Sequence, residues 1–189
     1  GLFLQYGAEV RIMWACSAVD VLMVYILYSE LTQKIDTLTH LLNRRSYESR
    51  LASLRGHAVI YYLDVDEFKS VNDTFGHGVG DAVLAEVGST IYAVFSKVGY
   101  CYRIGGDEFC VIAQISDTAA EKYLSEFLRE LTARRAKNEH LPHVSVGYAC
   151  FNPVLGSVED AIKRADRMMY HYKRKLKSEA LTNDDTVKS

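Results

Sequence analysis

The sequence has few cysteines and little net charge, and each shortage excludes a class of function. The four cysteines (Cys16, Cys101, Cys110 and Cys150) show no C-x-x-C spacing, which fits a reducing compartment and argues against a zinc site. Lysine and arginine number 22 against 24 acids, so the net charge is −2 and nothing indicates a nucleic-acid partner. Repeats and low-complexity tracts are also absent. The 189 residues suffice for one ordinary domain with a short extension at each end.

The amino-terminal extension contains a long apolar run. Residues 12–29 are interrupted only by Ser17, Asp20 and Ser29, and the run has the length of a membrane-spanning helix. Asp20 near its middle would cost about 2.5–3.5 kcal/mol on insertion, which the surrounding aliphatic residues can offset. The alternative is a signalling helix or coiled-coil stalk buried against a second subunit, but the heptad spacing is poor.

We therefore expect a hydrophobic helix over residues 1–34 and favour a membrane span over a stalk. Lys34, Arg44 and Arg45 follow the run, which predicts that the next domain is cytoplasmic and tethered to the membrane. Because the chain opens with Gly1 rather than Met, we expect it to be the last span and output domain of a longer receptor.

An acidic turn lies between two short apolar runs. Gly105, Gly106, Asp107 and Glu108 separate residues 98–104 from the apolar run that follows. Two glycines between such runs predict a hairpin, because tight hairpin turns need positive φ. The two carboxylates suit a hard divalent cation. The glycines have no side chain, so a bulky anion can approach the backbone closely. A solvated turn is the alternative for this segment taken alone.

A second acidic segment follows a predicted buried strand. Residues 58–63 are almost continuously apolar and end in Asp64-Val65-Asp66. An acid at the end of such a strand lies at the rim of the sheet, where ligands usually bind. If neighbouring strands bring Asp64 and Asp107 together, they form a hard-oxygen site suited to Mg²⁺. The alternative for Asp64 is a strand-end acid that faces water.

Several ordered motifs resemble the GGDEF domains, which are diguanylate cyclases. His40 stands where the family usually has glycine, and the resemblance runs from about residue 36 to residue 177. We therefore expect a GGDEF domain over residues 35–177 and a frayed polar tail over residues 178–189. The motifs are Asp36-Thr37-Leu38-Thr39-His40-Leu41-Leu42-Asn43-Arg44-Arg45, Asp64-Val65-Asp66-Glu67-Phe68-Lys69-Ser70-Val71-Asn72-Asp73, Gly76-His77-Gly78-Val79-Gly80-Asp81, Gly105-Gly106-Asp107-Glu108-Phe109, Val144-Ser145-Val146-Gly147 and Ala165-Asp166-Arg167-Met168-Met169-Tyr170.

The periodicity of the chain predicts an α+β sandwich. The order of elements gives helices on a central, mainly antiparallel sheet, preceded by the N-terminal helix. The resemblance independently implies the same ferredoxin-like, palm-type fold. We predict helices at 43–54, 81–97, 121–137 and 157–177, strands at 58–63, 98–104, 109–115 and 143–151, a short helix or turn at 67–75 and a flexible loop at 76–80.

The resemblance also implies a reaction and a set of site residues. Two GTP molecules would condense into cyclic di-GMP and two pyrophosphates, with Mg²⁺ (or Mn²⁺) assisting attack of a 3′-hydroxyl on an α-phosphate. Glu108 is either a second metal ligand or the base for the hydroxyl. The implied catalytic and metal-binding set is Asp64, the backbone carbonyl of Val65, Asp107 and Glu108. The implied substrate-binding set is Phe68, Lys69, Asn72, Asp81, Gly105, Gly106 and Lys173.

Some positions carry a second interpretation or depart from the family. Asp81 also fits the N-cap of the helix predicted to follow it. Many relatives have an inhibitory R-x-x-D before the glycines, but residues 96–99 read Ser-Lys-Val-Gly, so we expect no inhibitory product site. Leu176 and Lys177 replace the usual Gly-Arg, which could weaken phosphate binding because lysine lacks the bidentate fork of arginine.

The resemblance implies a homodimer, because one domain holds one GTP and the product ring needs two. Two other functions remain open. One is a catalytically weak or inactive GGDEF domain that acts as a GTP-binding regulatory module. The other is a cyclase that makes a mononucleotide, against which the complete signature and the Asn72 and Asp81 pattern argue.

Overall fold

A computed structural model describes residues 2–32 and 34–187, with side chains described at 10–11, 13–29 and 34–175. The chain forms two compact units that divide between Ile35 and Asp36. The parts of the N-terminal and tail predictions that concern Gly1, Gln33, Lys188 and Ser189 lie outside the described residues.

The first unit contains a single long helix, α1 (Leu2–Thr32). Between Met13 and Tyr28, large apolar side chains are exposed on all sides of the helix; Trp14, Val21 and Tyr28 are 71%, 70% and 66% exposed. Of the part of the chain that the structure describes, only His77–Phe95 has the length and hydropathy of a membrane span, and it lies in the core of the second unit. The apolar run described in α1, Met13–Ser29, is shorter.

The described residues of the second unit form five helices and four strands. Asn43 caps the first of its helices, because its side chain accepts a hydrogen bond from the backbone N–H of Ser46. The elements are α2 (Arg44–Ser53), β1 (Ala58–Val65), α3 (Phe68–Phe75), α4 (His77–Phe95), β2 (Gly99–Arg103), β3 (Glu108–Ala113), α5 (Asp117–Arg135), β4 (Val144–Phe151) and α6 (Val158–Val187).

The four strands form one sheet in the order β2-β3-β1-β4, and every pairing between neighbours is antiparallel. β1 therefore lies inside the sheet, between the strand after the acidic turn and the strand before α6. Its eight residues are buried or nearly so, as the apolar run predicted. The sheet prediction is confirmed.

Side chains that alternate along β1 enter two separate cores. Tyr61 and Leu63 pack in a larger core with the apolar faces of α4 and α5, including Ile91 and Phe127. Ile60 packs in a smaller core with residues of α2 and α6. Helices thus cover both faces of the sheet, and the two cores fix which face of β1 each side chain occupies.

Close backbone packing holds α6 against β4. A Cβ placed on Gly147 would lie less than 3.0 Å from backbone atoms of Ala165 and Met169. Only glycine allows the helix to approach the strand this closely. At the start of α6, the hydroxyl oxygen of Ser157 accepts a hydrogen bond from the N–H of Asp160 (3.1 Å) and so caps the helix.

Three local predictions were wrong. Residues 77–80 are helical rather than a flexible loop, because the break between α3 and α4 is confined to Gly76, at φ +83°. Asp81 is therefore one turn inside α4 and is not its N-cap. The last helix was predicted to end at residue 177, but the backbone of α6 is helical to Val187.

Candidate active site

The strand register brings the two acidic segments together. Asp64 in β1 lies directly opposite Glu108 in β3, and the N–H of Val65 donates to the carbonyl of Asp107 (3.1 Å). The link between β2 and β3 is a four-residue turn, closed by hydrogen bonds from the N–H groups of Ile104 and Gly105 to the carbonyl of Glu108. The predicted convergence of segments 43 residues apart is thus present in the fold.

The hairpin is confirmed, but the reason given for its glycines was wrong. Among the described glycines only Gly76 has positive φ, so Gly105 and Gly106 are not needed for a left-handed backbone. A Cβ on Gly105 would instead collide with the carboxylate of Glu108, whereas a Cβ on Gly106 would meet nothing within 4 Å. Gly105 therefore leaves room for the side chain of Glu108, and Gly106 leaves the outer surface of the turn without a side chain.

Lys173 reaches this cluster from α6. Its Nζ donates to Asp64 Oδ1 and lies 3.8 Å from Asp66 Oδ1. The two partners of the first contact are largely buried, at 25% exposure for Lys173 and 14% for Asp64. Burial would lower the pKa of Lys173, but the hydrogen bond and charge of Asp64 outweigh it and raise the pKa. The lysine is therefore a fixed positive charge beside the acids.

Asp66 is held by the neighbouring strand. Ser145 of β4, which is fully buried, donates through its hydroxyl toward both carboxylate oxygens at 2.8 Å, and the N–H of Asp66 donates to the carbonyl of His143 (2.9 Å). Sequence reasoning did not assign Ser145 a role. The only available signal was a polar residue inside an otherwise apolar strand.

The donor set fits a hard divalent cation. Partial burial raises the pKa of Glu108, and the nearby charges of Asp107 and Asp64 raise it further, so these acids repel one another. In the region with described side chains, no group of three or more His, Cys, Asp or Glu side chains is close enough together to hold a metal ion. Mg²⁺ in nucleotide sites needs only one or two carboxylates, with phosphate oxygens and water as further ligands.

The start of α3 offers backbone donors next to the acids. Glu67, at its N-cap, has a left-handed backbone (φ +55°) and its side chain makes no capping hydrogen bond. The first N–H groups of a helix have no partner within it, so they are free to point at an anion. Lys69 lies exposed on this first turn, and Phe68 is half-buried against the larger core.

Asn72 lies at the contact between α3 and α4. Its Oδ1 is buried and, among the described groups, has no hydrogen-bond partner. A Cβ on Gly80 would collide with this oxygen, so Gly80 packs directly against Asn72. Asp81, the next residue of α4, is exposed. The helical start of α4 thus brings together the two segments predicted to select the base.

Sequence reasoning missed Arg103, the last residue of β2. Its Nε and Nη2 donate to the carbonyl of Gly106 at 3.2 and 2.8 Å, and its Nη1 donates to the carboxylate of Asp36 at 3.2 and 3.3 Å. The sequence shows only an arginine before the glycines, and nothing local identifies a partner 67 residues away.

The chain matches a family model and known proteins over most of its length. The model described as "Diguanylate cyclase, GGDEF domain" matches residues 33–179. A diguanylate cyclase of Vibrio cholerae is 30% identical over 149 residues, which are 74% of this chain and 46% of that protein. The probable diguanylate cyclase DgcC of Escherichia coli is 34% identical over 151 residues, 74% of this chain and 40% of that protein. The chain spans less than half the length of these relatives.

Solved structures agree with the sequence matches. The coiled coil and GGDEF domain of DgcB from Caulobacter crescentus, in complex with c-di-GMP, superposes with a TM-score of 0.78 at 30% identity, covering 88% of this chain and 94% of that one. The diguanylate cyclase SiaD from Pseudomonas aeruginosa, in complex with its activator SiaC, gives 0.67 at 29% identity, with coverages of 92% and 73%. With the strand register and the acidic turn described above, these matches show that the chain belongs to the GGDEF domain family of diguanylate cyclases.

Proposed function

We propose that this chain is a diguanylate cyclase that condenses two GTP molecules into cyclic di-GMP and releases two pyrophosphates. The observation that carries the proposal is the meeting of Asp64 with Asp107 and Glu108 beside Lys173 and a bare glycine turn. Each bond-forming step joins a 3′-oxygen to an α-phosphorus, breaks the bond to pyrophosphate and removes the hydroxyl proton. Two such steps close the ring.

The acids would hold Mg²⁺ or Mn²⁺, with Asp64, Asp107 and the carbonyl of Val65 as ligands. A divalent cation bound there would neutralise charge on the attacking and leaving oxygens. Glu108 would act as a further ligand or as the base for the hydroxyl. Its pKa is raised by burial and by the neighbouring carboxylates, which favours acceptance of a proton.

The triphosphate would bind the N–H groups at the start of α3, with Lys69 and Lys173 supplying charge. The lack of a side-chain cap at Glu67 supports this, because those donors then remain available to an anion. Gly106 would let the nucleotide lie against the turn, since nothing stands within 4 Å of the place where its Cβ would be.

Guanine would be selected by Asn72 and Asp81, beside Phe68. The buried Oδ1 of Asn72 has no partner among the described groups, and a buried unsatisfied acceptor costs about 1–3 kcal/mol. The N–H donors on the edge of guanine would satisfy both this oxygen and the carboxylate of Asp81. Adenine offers a different donor pattern on that edge, so the pair favours GTP.

The test is to incubate the chain with GTP and Mg²⁺ and to identify the product by mass. Cyclic di-GMP is expected, whereas a cyclic mononucleotide or unchanged GTP contradicts the proposal. Asp107→Ala should reduce turnover by at least about a hundredfold without unfolding the domain. Glu159→Gln, an exposed acid in the first turn of α6, is the matched control and should be as active as the wild type. Mn²⁺ titration without nucleotide should show weaker binding only in the Asp107 variant.

A homodimer would supply the two GTP sites that one product molecule requires. Activity per chain should therefore rise with protein concentration and reach a plateau. Adding inactive Asp107→Ala chain to a fixed amount of wild type at the plateau should lower the activity, because mixed pairs lack one working site. Activity that stays constant on mixing would contradict the dimer.

The N-terminal helix would span the membrane and leave the GGDEF domain in the cytoplasm. The proposal is supported by apolar side chains exposed on all sides of α1, because a one-sided stalk would need only a stripe of them. Full-length chain should float with phospholipid vesicles and resist extraction at high pH. Leu22→Arg, at the centre of the run, should weaken this association, while Arg129→Ala, at an exposed position of α5, should not.

Product inhibition through the usual R-x-x-D position is not expected. At the position of its aspartate, a Cβ on Gly99 would lie 2.5 Å from the carbonyl oxygen of Ile112 and 2.7 Å from Cα of Ala113. The pairing of β2 with β3 thus leaves no room for a side chain at position 99. The arginine of the motif is also absent, because residue 96 is serine. Added cyclic di-GMP should leave the initial rate unchanged except by competition at the GTP site.

A further inference from the structure

We propose that Arg103 is a positioning residue that fixes the catalytic turn by anchoring it to Asp36, the first residue of the second compact unit. The inference rests on the proposed function, since it concerns the geometry of the same site. It assigns a role to two residues that would not themselves touch the metal or the nucleotide.

The acidic turn is held from two sides. On one side, the N–H of Val65 in β1 donates to the carbonyl of Asp107 (3.1 Å). On the other, two guanidinium nitrogens of Arg103 donate to the carbonyl of Gly106 at 2.8 and 3.2 Å. These are adjacent peptide groups, so together the anchors fix the backbone that carries the Asp107 carboxylate.

The guanidinium of Arg103 is itself oriented by a second partner. Its remaining contacts run from Nη1 to both carboxylate oxygens of Asp36, at 3.2 and 3.3 Å, and both side chains are mostly buried at 15% and 22% exposure. A planar guanidinium presents donors in fixed directions, so it can bridge a carboxylate and a carbonyl at once. An ammonium group lacks this fork.

Asp36 is in turn held in place by its own contacts. Its Oδ1 accepts from the N–H and the hydroxyl of Thr39 at 2.8 and 2.7 Å. Thr39 is buried against Gly88 of α4, where a Cβ would lie 2.9 Å from the threonine Cβ. The segment that follows Asp36 also pairs with β2, because the N–H of Leu42 donates a hydrogen bond to the backbone carbonyl of Cys101 (3.0 Å). Asp36 is therefore an anchor fixed to the body of the domain.

Asp36 also lies close in sequence to the end of α1. Helix α1 ends at Thr32, and Asp36 is the fourth residue after it. Any displacement of Asp36 would release or redirect Arg103 and, through it, the carbonyl of Gly106. The segment that links α1 to the domain therefore leads directly into Asp36, whose ion pair with Arg103 holds the acidic turn in place.

The test compares Arg103→Lys and Asp36→Asn with Arg134→Lys in the full chain. Arg134 is a matched control, because it also bridges two elements, from Glu130 (3.1 Å) to Ser89 (2.7 Å), but it lies in α5 away from the turn. Amide hydrogen exchange without nucleotide reads the N–H groups of Val65 and Gly105, which bond to carbonyls of Asp107 and Glu108.

We expect exchange at Val65 and Gly105 to rise about tenfold or more in Arg103→Lys, and by a similar or smaller factor in Asp36→Asn, with amides in α5 unchanged. Turnover at saturating GTP should fall about tenfold with KM within about twofold, because misplacing the acids affects the transition state more than ground-state binding. Arg134→Lys should change none of these.

Unchanged exchange at both amides, or equal loss of protection throughout the domain, would overturn the proposal. Exchange is measured without substrate, so it tests the anchor even in a chain that makes no cyclic di-GMP. If the wild type makes no cyclic di-GMP but the variants show the expected exchange pattern, the proposed function is rejected and the anchor is not.

Discussion

The close contact between β4 and α6 makes Gly147→Ala a severe change for so small a substitution. The added Cβ would lie under 3.0 Å from backbone atoms of Ala165 and Met169, and 2.9 Å from the carbonyl carbon of Met168. Ordinary contacts begin near 3.4 Å, so α6 must move outward by more than half an ångström. Backbone atoms cannot rotate away as a side-chain end can, so the helix must shift as a whole.

The expected cost follows from overpacking at a buried interface. Such insertions destabilise by about 1–3 kcal/mol, and a rigid helix backbone as the obstacle favours the upper half of this range. For a chain of this size we expect the melting temperature to fall by roughly 4–10 °C. Since α6 also carries Lys173, its displacement should loosen the contact with Asp64 and reduce activity.

Denaturant unfolding followed by far-UV circular dichroism is the appropriate assay. Fluorescence of the single tryptophan would report on α1 instead, because Trp14 lies there. Gly156→Ala is the matched control, since a Cβ at that position would meet nothing within 4 Å. A Gly147 variant within about 0.5 kcal/mol of wild type, or an equal loss in the control, would refute the reasoning.

Three smaller predictions follow from the backbone and the acids. His40→Gly should stabilise the domain by about 0.5 kcal/mol, measured by denaturant unfolding, because relief of the left-handed strain at φ +58° (about 1–2 kcal/mol) exceeds the added chain entropy. Burial would raise the pKa of Asp36, but hydrogen bonds from Thr39 and the guanidinium of Arg103 lower it below 3.8. Its stabilisation is therefore complete above about pH 4, and the gap in unfolding free energy to Asp36→Asn should shrink as the pH falls below 3.8. Gly105→Ala should cut cyclase activity about tenfold by displacing Glu108, whereas Gly106→Ala should leave the unfolding midpoint unchanged and weaken GTP binding in a calorimetric titration.

Much of the fold could be predicted because local patterns and the family resemblance agree. Apolar alternation and run length identified all four strands and the helices that cover them. The errors occurred where tertiary contacts override local signals. Gly78 and Gly80 predicted a loop, yet they are helical, because close packing of α4 on Asn72 requires a small residue at position 80.

The candidate site was predictable where a residue's own chemistry marks it, as with Asp64 and Asp107. It was not predictable where the partner is distant and the residue type is common. Ser145 and Arg103 resemble an ordinary strand serine and a surface arginine until the sheet places them beside Asp66 and Gly106. The role of Gly105 was likewise not predictable, because the space that it leaves is occupied by the side chain of Glu108, three residues later.

The alternation of side chains along β1 restricts how this domain can change in length. Asp64 shares the face of Ile60, toward α6 and its lysine, while Leu63 and Val65 face the opposite core. Deleting one residue from β1 would invert this order, burying a carboxylate among aliphatic side chains and exposing a leucine to the nucleotide. Insertions can accumulate in the loop around Gly56, which precedes β1. Within β1 the number of residues must stay the same, because it determines which face of the sheet Asp64 occupies.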